Sequence, residues 1–480
     1  MAVLEHLEPK NVFRFFEEMS AIPHGSFNTK AVSDWCVDFA HERGLEHYQD
    51  EANNVIIIKE ASAGYEDAEP VIIQGHLDMV CEKAADCTKD MAKEGLDLAV
   101  DGDWIYAKGT TLGGDDGIAV AMGLAALADD SLAHPRLEVI LTTEEEVGME
   151  GAAALDVSRI RGRKLINIDS EEEGIFTVSC AGGMRVSCVL PVSRESFAGE
   201  AVLSVAIGGL NGGHSGVEIH KQRGNADMLL GRVLRAVSAA TEMRLICAGG
   251  GLKENAIPAE AGALVAVKDA NAAMAAVADV ESIIRRELQT ADPGVFVRVQ
   301  PTESDRLPMD ADSTRRAVCL LTCAPCGVQA TSLDIPGLVQ TSLNLGVLET
   351  SEKQLQAAFS IRSSVASEKV LIADRLACLV EMLGGSISVS GDYPAWEYRK
   401  DSPLRDLMME VYREQYGEEP KIEAIHAGLE CGLLSAKLPG LDCVSVGPEL
   451  RDIHTPRERM SVASVQRVWA FVLEVLRRSK

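Results

Sequence analysis

The sequence of 480 residues lacks several features that would mark a membrane, secreted or nucleic-acid-binding protein. No apolar run is long enough to span a membrane, and the first residues lack the basic start and apolar stretch of a signal peptide. Positive charge is scarce, because 46 lysines and arginines face 73 aspartates and glutamates, for a formal net charge of −27. This balance disfavours nucleic acid and anionic membranes as partners. We therefore expect a cytoplasmic protein without such partners.

The 12 cysteines are scattered and show no framework of paired spacings. Their tightest cluster is Cys319, Cys323 and Cys326. The spacing of Cys323 and Cys326 could be redox-active or form half of a zinc site. However, no second pair lies at a matching distance and no βαβ pattern surrounds it. We favour a turn with buried, reduced thiols, as is typical of a large cytoplasmic protein.

The length of the chain favours two domains. Apolar, strand-like runs alternate with helical patterns in the first part of the chain, and this alternation predicts an α/β domain with a mainly parallel sheet. The predicted strands cover residues 55–58, 71–73, 137–141 and 164–168.

Past about residue 181 the pattern changes to alternating strands and glycine-rich loops. A strand-like run and a long amphipathic helix, over residues 462–476, then return at the end of the chain. We predict a catalytic domain made of residues 1–183 and 398–480, into which a lid domain of α+β structure, residues 184–397, is inserted.

Five segments that leave strand-like runs, open a helix or lie in loops carry residue types that bind metals. In parallel sheets, sites lie outside the carboxyl ends of the strands. Zinc takes imidazole and carboxylate ligands, and pairs of such ions are common in metal-assisted hydrolysis. The pattern therefore predicts a two-metal hydrolase. The residues that carry it are His76, Asp78, Asp115, Glu145, Glu146, Asp169 and His454.

The spacing of these residues indicates different roles. His76 and Asp78 are two apart on extended chain and project from one side, so Asp78 can orient the ring of His76. Asp115, on a glycine-rich turn, suits a position between two ions. The adjacent Glu145 and Glu146 cannot point the same way, so one can bind metal while the other accepts a proton. Each segment alone would more often be a surface or core pair, and only their combination indicates a site.

Longer motifs give the chain a recognisable resemblance. It resembles the zinc-dependent aminoacylase/carboxypeptidase clan over essentially its whole length. Within that clan it is similar to the bacterial Xaa-His dipeptidase branch, also called aminoacyl-histidine or cytosol non-specific dipeptidases. The motifs that carry the resemblance are Gln-Gly-His-Leu-Asp-Met-Val at 74–80, Gly-Thr-Thr-Leu-Gly-Gly-Asp at 109–115, Glu-Glu-Val-Gly-Met at 145–149, Asp-Ser-Glu-Glu-Glu-Gly at 169–174, Gly-Gly-His-Ser-Gly at 212–216, Asn-Ala-Ile-Pro at 255–258 and His-Ala-Gly-Leu-Glu-Cys-Gly at 426–432.

The resemblance implies a two-metal peptidase fold with an inserted lid and a homodimer formed through that lid. It also implies two divalent metal ions, with zinc favoured over cobalt or manganese. His76 and Asp169 would hold one ion. Glu146 and His454 would hold the other, with Asp115 bridging the two.

By the same resemblance, Asp78 would be the catalytic aspartate beside the metal ligands and Glu145 the general base. One departure is visible. The family usually follows its bridging aspartate with Asn-Gly, whereas this chain has Asp116 and Gly117. The extra carboxylate could perturb metal affinity, point to solvent or cap the helix.

The resemblance assigns further residues to the lid and to substrate binding. His214 would stabilise the oxyanion from the partner subunit, although a histidine alone would more often be structural. Arg362 would bind the carboxylate of the substrate, although an arginine alone would more often form a surface ion pair. Asn255 would line the same pocket, and Gly428 and Glu430 are also expected to bind substrate.

We therefore expect a metal-dependent dipeptidase that cleaves unblocked dipeptides, with Xaa-His and β-Ala-His (carnosine) as possible substrates. A water between the two ions would be the nucleophile. The first alternative is another amide hydrolase of the clan: an aminoacylase, a deacetylase or a carboxypeptidase. A remote alternative is a non-catalytic binding protein, which would have lost part of the ligand set that is complete here.

Overall fold

The computed structural model describes residues 3–199 and 201–480, and the chain forms two compact units. The first unit consists of Met1–Ser179, Tyr398–Ala424 and Leu429–Lys480. The second unit consists of Cys180–Glu397 and Ile425–Gly428. The predicted inserted domain, 184–397, lies within the second unit, whereas the return of the chain to that unit at 425–428 has no counterpart in the prediction.

Helices and strands are numbered in chain order. The first 180 residues form α1 (Lys10–Ser20), α2 (Lys30–Glu42), β1 (Glu46–Gln49), β2 (Val55–Lys59), β3 (Val71–His76), β4 (Leu98–Asp101), β5 (Trp104–Ala107), α3 (Gly114–Ala128), β6 (Leu137–Thr142), α4 (Glu150–Ala154), β7 (Lys164–Asn167) and β8 (Ile175–Cys180). The second unit adds β9 (Gly182–Pro191), β10 (Ala201–Gly208), β11 (Gly213–His214), a 3₁₀ turn (Ile219–Lys221), α5 (Ala226–Ala240), β12 (Met243–Gly250), β13 (Ala256–Ile257), β14 (Ala261–Val267), α6 (Ala270–Glu287), β15 (Phe296–Thr302), α7 (Ala311–Cys323), β16 (Gly327–Thr331), β17 (Val339–Thr350), β18 (Gln354–Ser363), α8 (Ala366–Met382) and β19 (Ser386–Tyr393). The last segment forms α9 (Pro403–Tyr416), β20 (Lys421–Ile425), α10 (Glu430–Lys437), β21 (Asp442–Ser445), β22 (Leu450–Arg451), β23 (Arg459–Ser461) and α11 (Val462–Arg478).

The main sheet of the first unit has the strand order β1-β2-β6-β3-β7-β21-β8-β20. Its central strands β6, β3, β7 and β21 run parallel, and β2 and β8 pair antiparallel to them. Every residue of β3 and β6 is buried, as expected for strands that are covered on both faces. This sheet confirms the predicted α/β class.

The register of the parallel strands brings their carboxyl ends to one edge of the sheet. His76 at the end of β3 pairs with Thr142 at the end of β6, and Gln74 of β3 pairs with Asn167 at the end of β7. Side chains that leave these strand ends therefore converge, as predicted from the sequence.

Helix α3 packs against β3 and against α1. Nearly all of its residues are buried, because it is apolar on every side. The first unit is closed by α11, which packs against α9, and by the small sheet β22-β23-β5-β4. The end of the chain thus completes a unit begun by its first residues.

The second unit is built on an antiparallel sheet with the order β15-β10-β14-β12-β17-β18-β9-β19, to which β16 adds by pairing with β17. Helices α5, α6, α7 and α8 pack against its strands and form the apolar core of the unit. Strand β19 lies at one edge and is largely exposed. A separate ladder pairs β11 with β13.

The cysteine cluster of the second unit differs from the expected buried turn. Cys319 and Cys323 lie one turn apart on α7, with their Sγ atoms 4.0 Å from each other, and Cys323 is exposed. The expectation of a buried thiol is therefore wrong for Cys323, because it faces solvent at the end of the helix.

Among the residues described, no helix combines the length and the apolar character needed to cross a membrane.

Candidate metal centre and active site

The first unit brings the five predicted metal ligands together. Nε2 of His76 lies 3.2 Å from Oδ1 of Asp115 and 3.8 Å from Oδ1 of Asp169. Nε2 of His454 lies 3.0 Å from Oε1 of Glu146 and 3.3 Å from Oδ2 of Asp115. The two oxygens of Asp115 therefore face different histidines. The geometry is that of two ligand groups sharing one carboxylate.

The position of Asp115 depends on a carboxylate far along the chain, Glu458. Asp115 and the residue after it lack helical backbone angles, although they lie in the first turn of α3. Burial raises the pKa of the Glu458 carboxyl to about 7, opposed by the backbone N–H groups that donate to it. The donors are the backbone N–H groups of Leu112, Gly113, Gly114 and Asp115, at 2.8, 3.2, 2.8 and 3.4 Å. No local pattern in the sequence indicates this anchor.

Asp78 holds both His76 and the turn that follows β6. Nδ1 of His76 lies 2.9 Å from the backbone oxygen of Asp78 and 3.5 Å from its carboxylate. The carboxylate accepts hydrogen bonds from Ser26 Oγ at 2.8 Å and from the backbone N–H groups of Glu145 and Glu146 at 3.0 and 3.4 Å. The pKa of Asp78 lies below its ordinary value. Burial alone would raise it, but the hydrogen bond and the charge of His76 outweigh that effect. The role of Ser26 could not be predicted from the sequence.

Glu145 lies within 4.8 Å of His76 and Glu146, measured between ligand atoms, and it is one of several carboxyl groups near the centre with a raised pKa. Burial raises its pKa to about 8; the charge of His76 lowers it, and those of Glu430 and Glu146 raise it. A carboxyl group with a pKa near neutrality can both accept and return a proton near pH 7.

The donor set fits divalent metal ions. Burial raises the pKa of Asp169, and the charges of neighbouring carboxylates raise it further, so a cation would offset this repulsion. Imidazole and carboxylate groups are the ligands that zinc takes in hydrolases, and manganese and cobalt accept them as well. Ligand atoms lie within 4.8 Å of one another in three groups of described residues: His76 with Asp116 and Asp169, His76 with Glu145 and Glu146, and Asp115 with Glu146 and His454.

Asp116 does not point to solvent, which excludes one of the three alternatives that the sequence left open. Its side chain is buried, and its Oδ2 accepts a hydrogen bond from the backbone N–H of His76 at 3.2 Å. Burial raises the pKa of Asp116 well above its ordinary value. The space for this carboxylate exists because residue 75 is glycine: a Cβ there would lie 2.6 Å from Asp116 Oδ2.

Glu430 lies behind the ligand groups and has no exposed surface. Its Oε2 accepts hydrogen bonds from Gln74 Nε2 and Thr142 Oγ1, each at 2.6 Å. Burial raises the pKa of Glu430 to about 7. As placed here, Glu430 braces the ends of β3 and β6 and is not at a surface that substrate can reach. This placement differs from the substrate contact expected from the sequence.

The second unit carries the predicted lid residues. Nδ1 of His214 accepts hydrogen bonds from the backbone N–H groups of Gly216 and Val217, both at 3.2 Å, which assigns the ring proton to Nε2. Burial and the charge of Arg362 lower the pKa of His214. Asn255 is exposed and directly precedes β13, the strand paired with His214. His214 is therefore a neutral ring with one N–H available to donate.

Arg362 is half-buried and belongs to a polar cluster on β17, β18 and β19. Its Nη1 donates to Tyr393 Oη at 3.1 Å, and its buried Nε has no partner among the described residues. His426 lies 2.7 Å from Oγ of Ser342, which pairs with Arg362 in the sheet. Burial and the charge of Arg362 lower the pKa of His426 to about 4. Gly428, also predicted, is half-buried in the short segment 425–428 that carries His426.

Known proteins resemble this chain along its whole length. The model of Peptidase family M20/M25/M40 matches residues 72–478. The cytosol non-specific dipeptidase of Escherichia coli (strain K12) is 37% identical over 480 residues, which cover 99% of each chain. The crystal structure of aminoacylhistidine dipeptidase from Vibrio alginolyticus has a TM-score of 0.93 at 35% identity, covering 98% of this chain and 97% of that one.

A more distant structure, aminopeptidase PepT from Bacillus cereus, has a TM-score of 0.56 at 14% identity and covers 98% of this chain and 99% of that chain. It shares the fold alone. The matches of the family and of the Vibrio structure confirm the family and the enzyme class, a hydrolase of peptide bonds, predicted from the motifs.

Proposed function

The chain belongs to peptidase family M20/M25/M40, and on this premise we propose that it is a metal-dependent dipeptidase that cleaves unblocked dipeptides. The observation that carries the proposal is the carboxylate of Asp115 between His76 and His454, with the raised pKa of Glu145 beside it. A non-catalytic binding protein would have lost part of the ligand set, whereas all five predicted ligands lie together in the first unit.

We propose that two divalent ions, zinc by preference, are held by these side chains. His76 and Asp169 would hold one ion, and Glu146 and His454 the other, with Asp115 shared. The distances from each histidine to its carboxylates support this division. When bound, the ions supply charge that polarises the scissile carbonyl and acidifies water.

Glu145 is the proposed general base. It would take a proton from the attacking water and return it to the leaving amine. Asp78 supports this role from outside the reacting groups, because its carboxylate accepts the backbone N–H of Glu145 and fixes the turn. The same aspartate holds the His76 ring through its backbone oxygen.

We propose that two residues of the second unit recognise the substrate: Arg362, and His214 supplied by a second copy of the chain. The Nε2 proton of His214 would donate to the oxygen of the tetrahedral intermediate. The unpartnered Nε of Arg362 would donate to the substrate's carboxylate, because a guanidinium offers a planar match to two oxygens. Asn255 and Gly428 would line the same pocket.

A panel of substrates tests the proposal. Free dipeptides, including Xaa-His and β-Ala-His, are compared with N-acetylated dipeptides, dipeptide amides and tripeptides, each with zinc, manganese and cobalt. We expect cleavage of free dipeptides only. Preferential cleavage of N-acylated amino acids would favour an aminoacylase or deacetylase, and release of one residue from longer peptides would favour a carboxypeptidase.

We further propose that the protein acts as a homodimer in the cytoplasm. The relative's name places that protein in the cytosol. Strand β19 supports the dimer, because an edge strand offers unpaired backbone groups to a second copy, and Val389 on it is 49% exposed. Light scattering should give twice the mass of one chain, and Val389→Lys should shift the mass toward a monomer. A wild-type monomer would contradict the proposal.

A further inference from the structure

The loop between α1 and α2 carries an exposed aromatic side chain, Phe27, which is 76% exposed. An aromatic ring of this size usually buries most of its surface. The other large apolar side chains exposed among the described residues of the first unit are Val3 and Val147. Val147 directly follows the proposed ligand Glu146. Two of these three exposed side chains therefore belong to segments that contact or contain site residues.

The backbone of Phe27 is left-handed, with φ of +65°. This conformation is unfavourable for a bulky residue, since its Cβ approaches the backbone too closely. The backbone N–H of Phe27 donates to Oε2 of Glu144 at 2.7 Å, and Thr29 Oγ1 donates to Oε1 of the same carboxylate at 3.3 Å. Glu144 itself has φ of +58° and directly precedes the proposed base. A strained backbone conformation persists only where surrounding contacts hold it in place, and such conformations are common at ligand sites.

Further contacts fix the rest of the loop against the centre. Ser26 donates to the carboxylate of Asp78 at 2.8 Å, and the backbone N–H of Met79 donates to the oxygen of His24 at 3.2 Å. Within the loop, the N–H of Asn28 donates to the oxygen of Gly25 at 2.8 Å. The loop is therefore anchored on both sides of Phe27, and the exposed ring is presented from a rigid backbone.

We propose that Phe27, together with Val147, forms the apolar surface that contacts a side chain of the substrate and sets a preference for large apolar side chains. Because the backbone that carries the ring is anchored, little backbone freedom is lost on binding, and covering the ring removes apolar surface from water. This inference rests on the proposed dipeptidase function and adds which substrates the centre prefers. Phe27 is proposed as a specificity residue and takes no part in proton transfer.

Three dipeptides test the inference. Gly-Gly has no large side chain, whereas Leu-Gly and Gly-Leu each carry one, on opposite sides of the scissile bond. For Phe27→Ala we expect the ratio of kcat/KM for one leucyl peptide to that for Gly-Gly to fall about tenfold, equivalent to about 1.4 kcal/mol. Phe27→Leu should keep most of the preference. Val147→Ala should lower the same ratio, but by less.

Two further variants serve as controls. Phe27→Gly removes the ring and relieves the left-handed backbone, so it should match Phe27→Ala if the ring is responsible. Leu252→Ala removes another exposed side chain, 96% exposed and in the second unit, and should leave the ratio unchanged. Metal content is measured on every variant, so that loss of ligands is not mistaken for loss of contact.

An unchanged ratio in Phe27→Ala would overturn the inference, and so would an equal fall for all three peptides. If the wild-type protein cleaves dipeptides and the ratio does not move, the inference alone fails. If the wild-type protein, loaded with metal, cleaves none of the dipeptides, the proposed function fails and this inference fails with it.

Discussion

The two units hold their polar clusters in opposite electrostatic states. In the first unit, carboxylates crowd around two histidines. The hydrogen bonds of Asp115 and Glu146 raise the pKa of His454 to about 10, and carboxylates raise that of His76 well above its ordinary value although burial lowers it. In the second unit, burial and the charge of Arg362 lower the pKa of His426 to about 4. The first cluster therefore favours the binding of cations. The second, with its unpartnered guanidinium nitrogen, favours the binding of an anion.

Removal of the cations should have the largest effect. Chelation should abolish hydrolysis, and zinc, manganese or cobalt should restore it, because the first cluster is an excess of carboxylates without them. Asp115→Ala should lose bound metal and activity together, since both histidines face that carboxylate. Metal content and turnover are measured on one sample, and undiminished turnover in verified metal-free protein would contradict the comparison.

Glu145→Gln should have the next largest effect. The amide cannot accept the proton, so kcat should fall about 10²–10⁴-fold while both metals remain bound. The matched control is Glu146→Gln, which changes the neighbouring carboxylate and should lose metal. Near wild-type turnover in fully loaded Glu145→Gln would remove this residue from the role of base.

The anion site proposed for the second unit is tested by Arg362→Ala. A lost charge-assisted hydrogen bond costs about 1.5–3 kcal/mol, so kcat/KM for a dipeptide should fall at least about tenfold. The variant should also lose most of its preference for the free acid over the amide, whereas Arg362→Lys should keep part of it. A preference as strong as that of the wild type would show that another residue, Asn255 first, reads the carboxylate.

Asp227 offers the mildest test, on stability alone. This carboxylate of the second unit is fully buried, and neither oxygen has a hydrogen-bond partner in the described structure. Burial raises its pKa from 3.8 to about 7. Between these values the folded protein keeps a proton that the unfolded chain has lost, so the contribution of Asp227 is fully present below about pH 4 and lost as the pH rises through about 7.

Asp227→Asn should therefore be more stable than the wild type at pH 8, by about 1–3 kcal/mol, with a smaller difference at pH 4.5. Thermal unfolding at both pH values measures this, and turnover should not change. An equal difference at the two pH values would mean that the carboxylate is not protonated in the folded protein.

The sequence predicts the strand ends well and their supports poorly. Runs of apolar residues mark β3 and β6, so a histidine or carboxylate just after them was expected at the carboxyl edge of the sheet. The terminal helix, expected over 462–476, is found at Val462–Arg478, because its amphipathic period is a local property. The strand ends and the terminal helix are both predicted from residues that are neighbours in the sequence.

The supports come from residues far apart in the chain. Ser26 reaches Asp78, and Glu458 reaches the turn before Asp115, without any pattern at either position that indicates the contact. Glu430 was expected at the substrate, but it is buried against Gln74 and Thr142, two strand residues that no local pattern relates to it. Long-range hydrogen bonds of this kind follow only from the folded chain.

The anchoring of the α3 turn by Glu458 affects when the centre can form during synthesis of the chain. Residues of the ribosome-bound chain emerge in order, and His76 and Asp115 emerge long before His454 and Glu458. Until the last segment is made, the turn lacks the carboxylate that gathers its four N–H groups, and the centre lacks one of its histidines. We therefore expect a chain without this segment to hydrolyse no peptides, because it lacks both a proposed metal ligand, His454, and the anchor of the turn, Glu458.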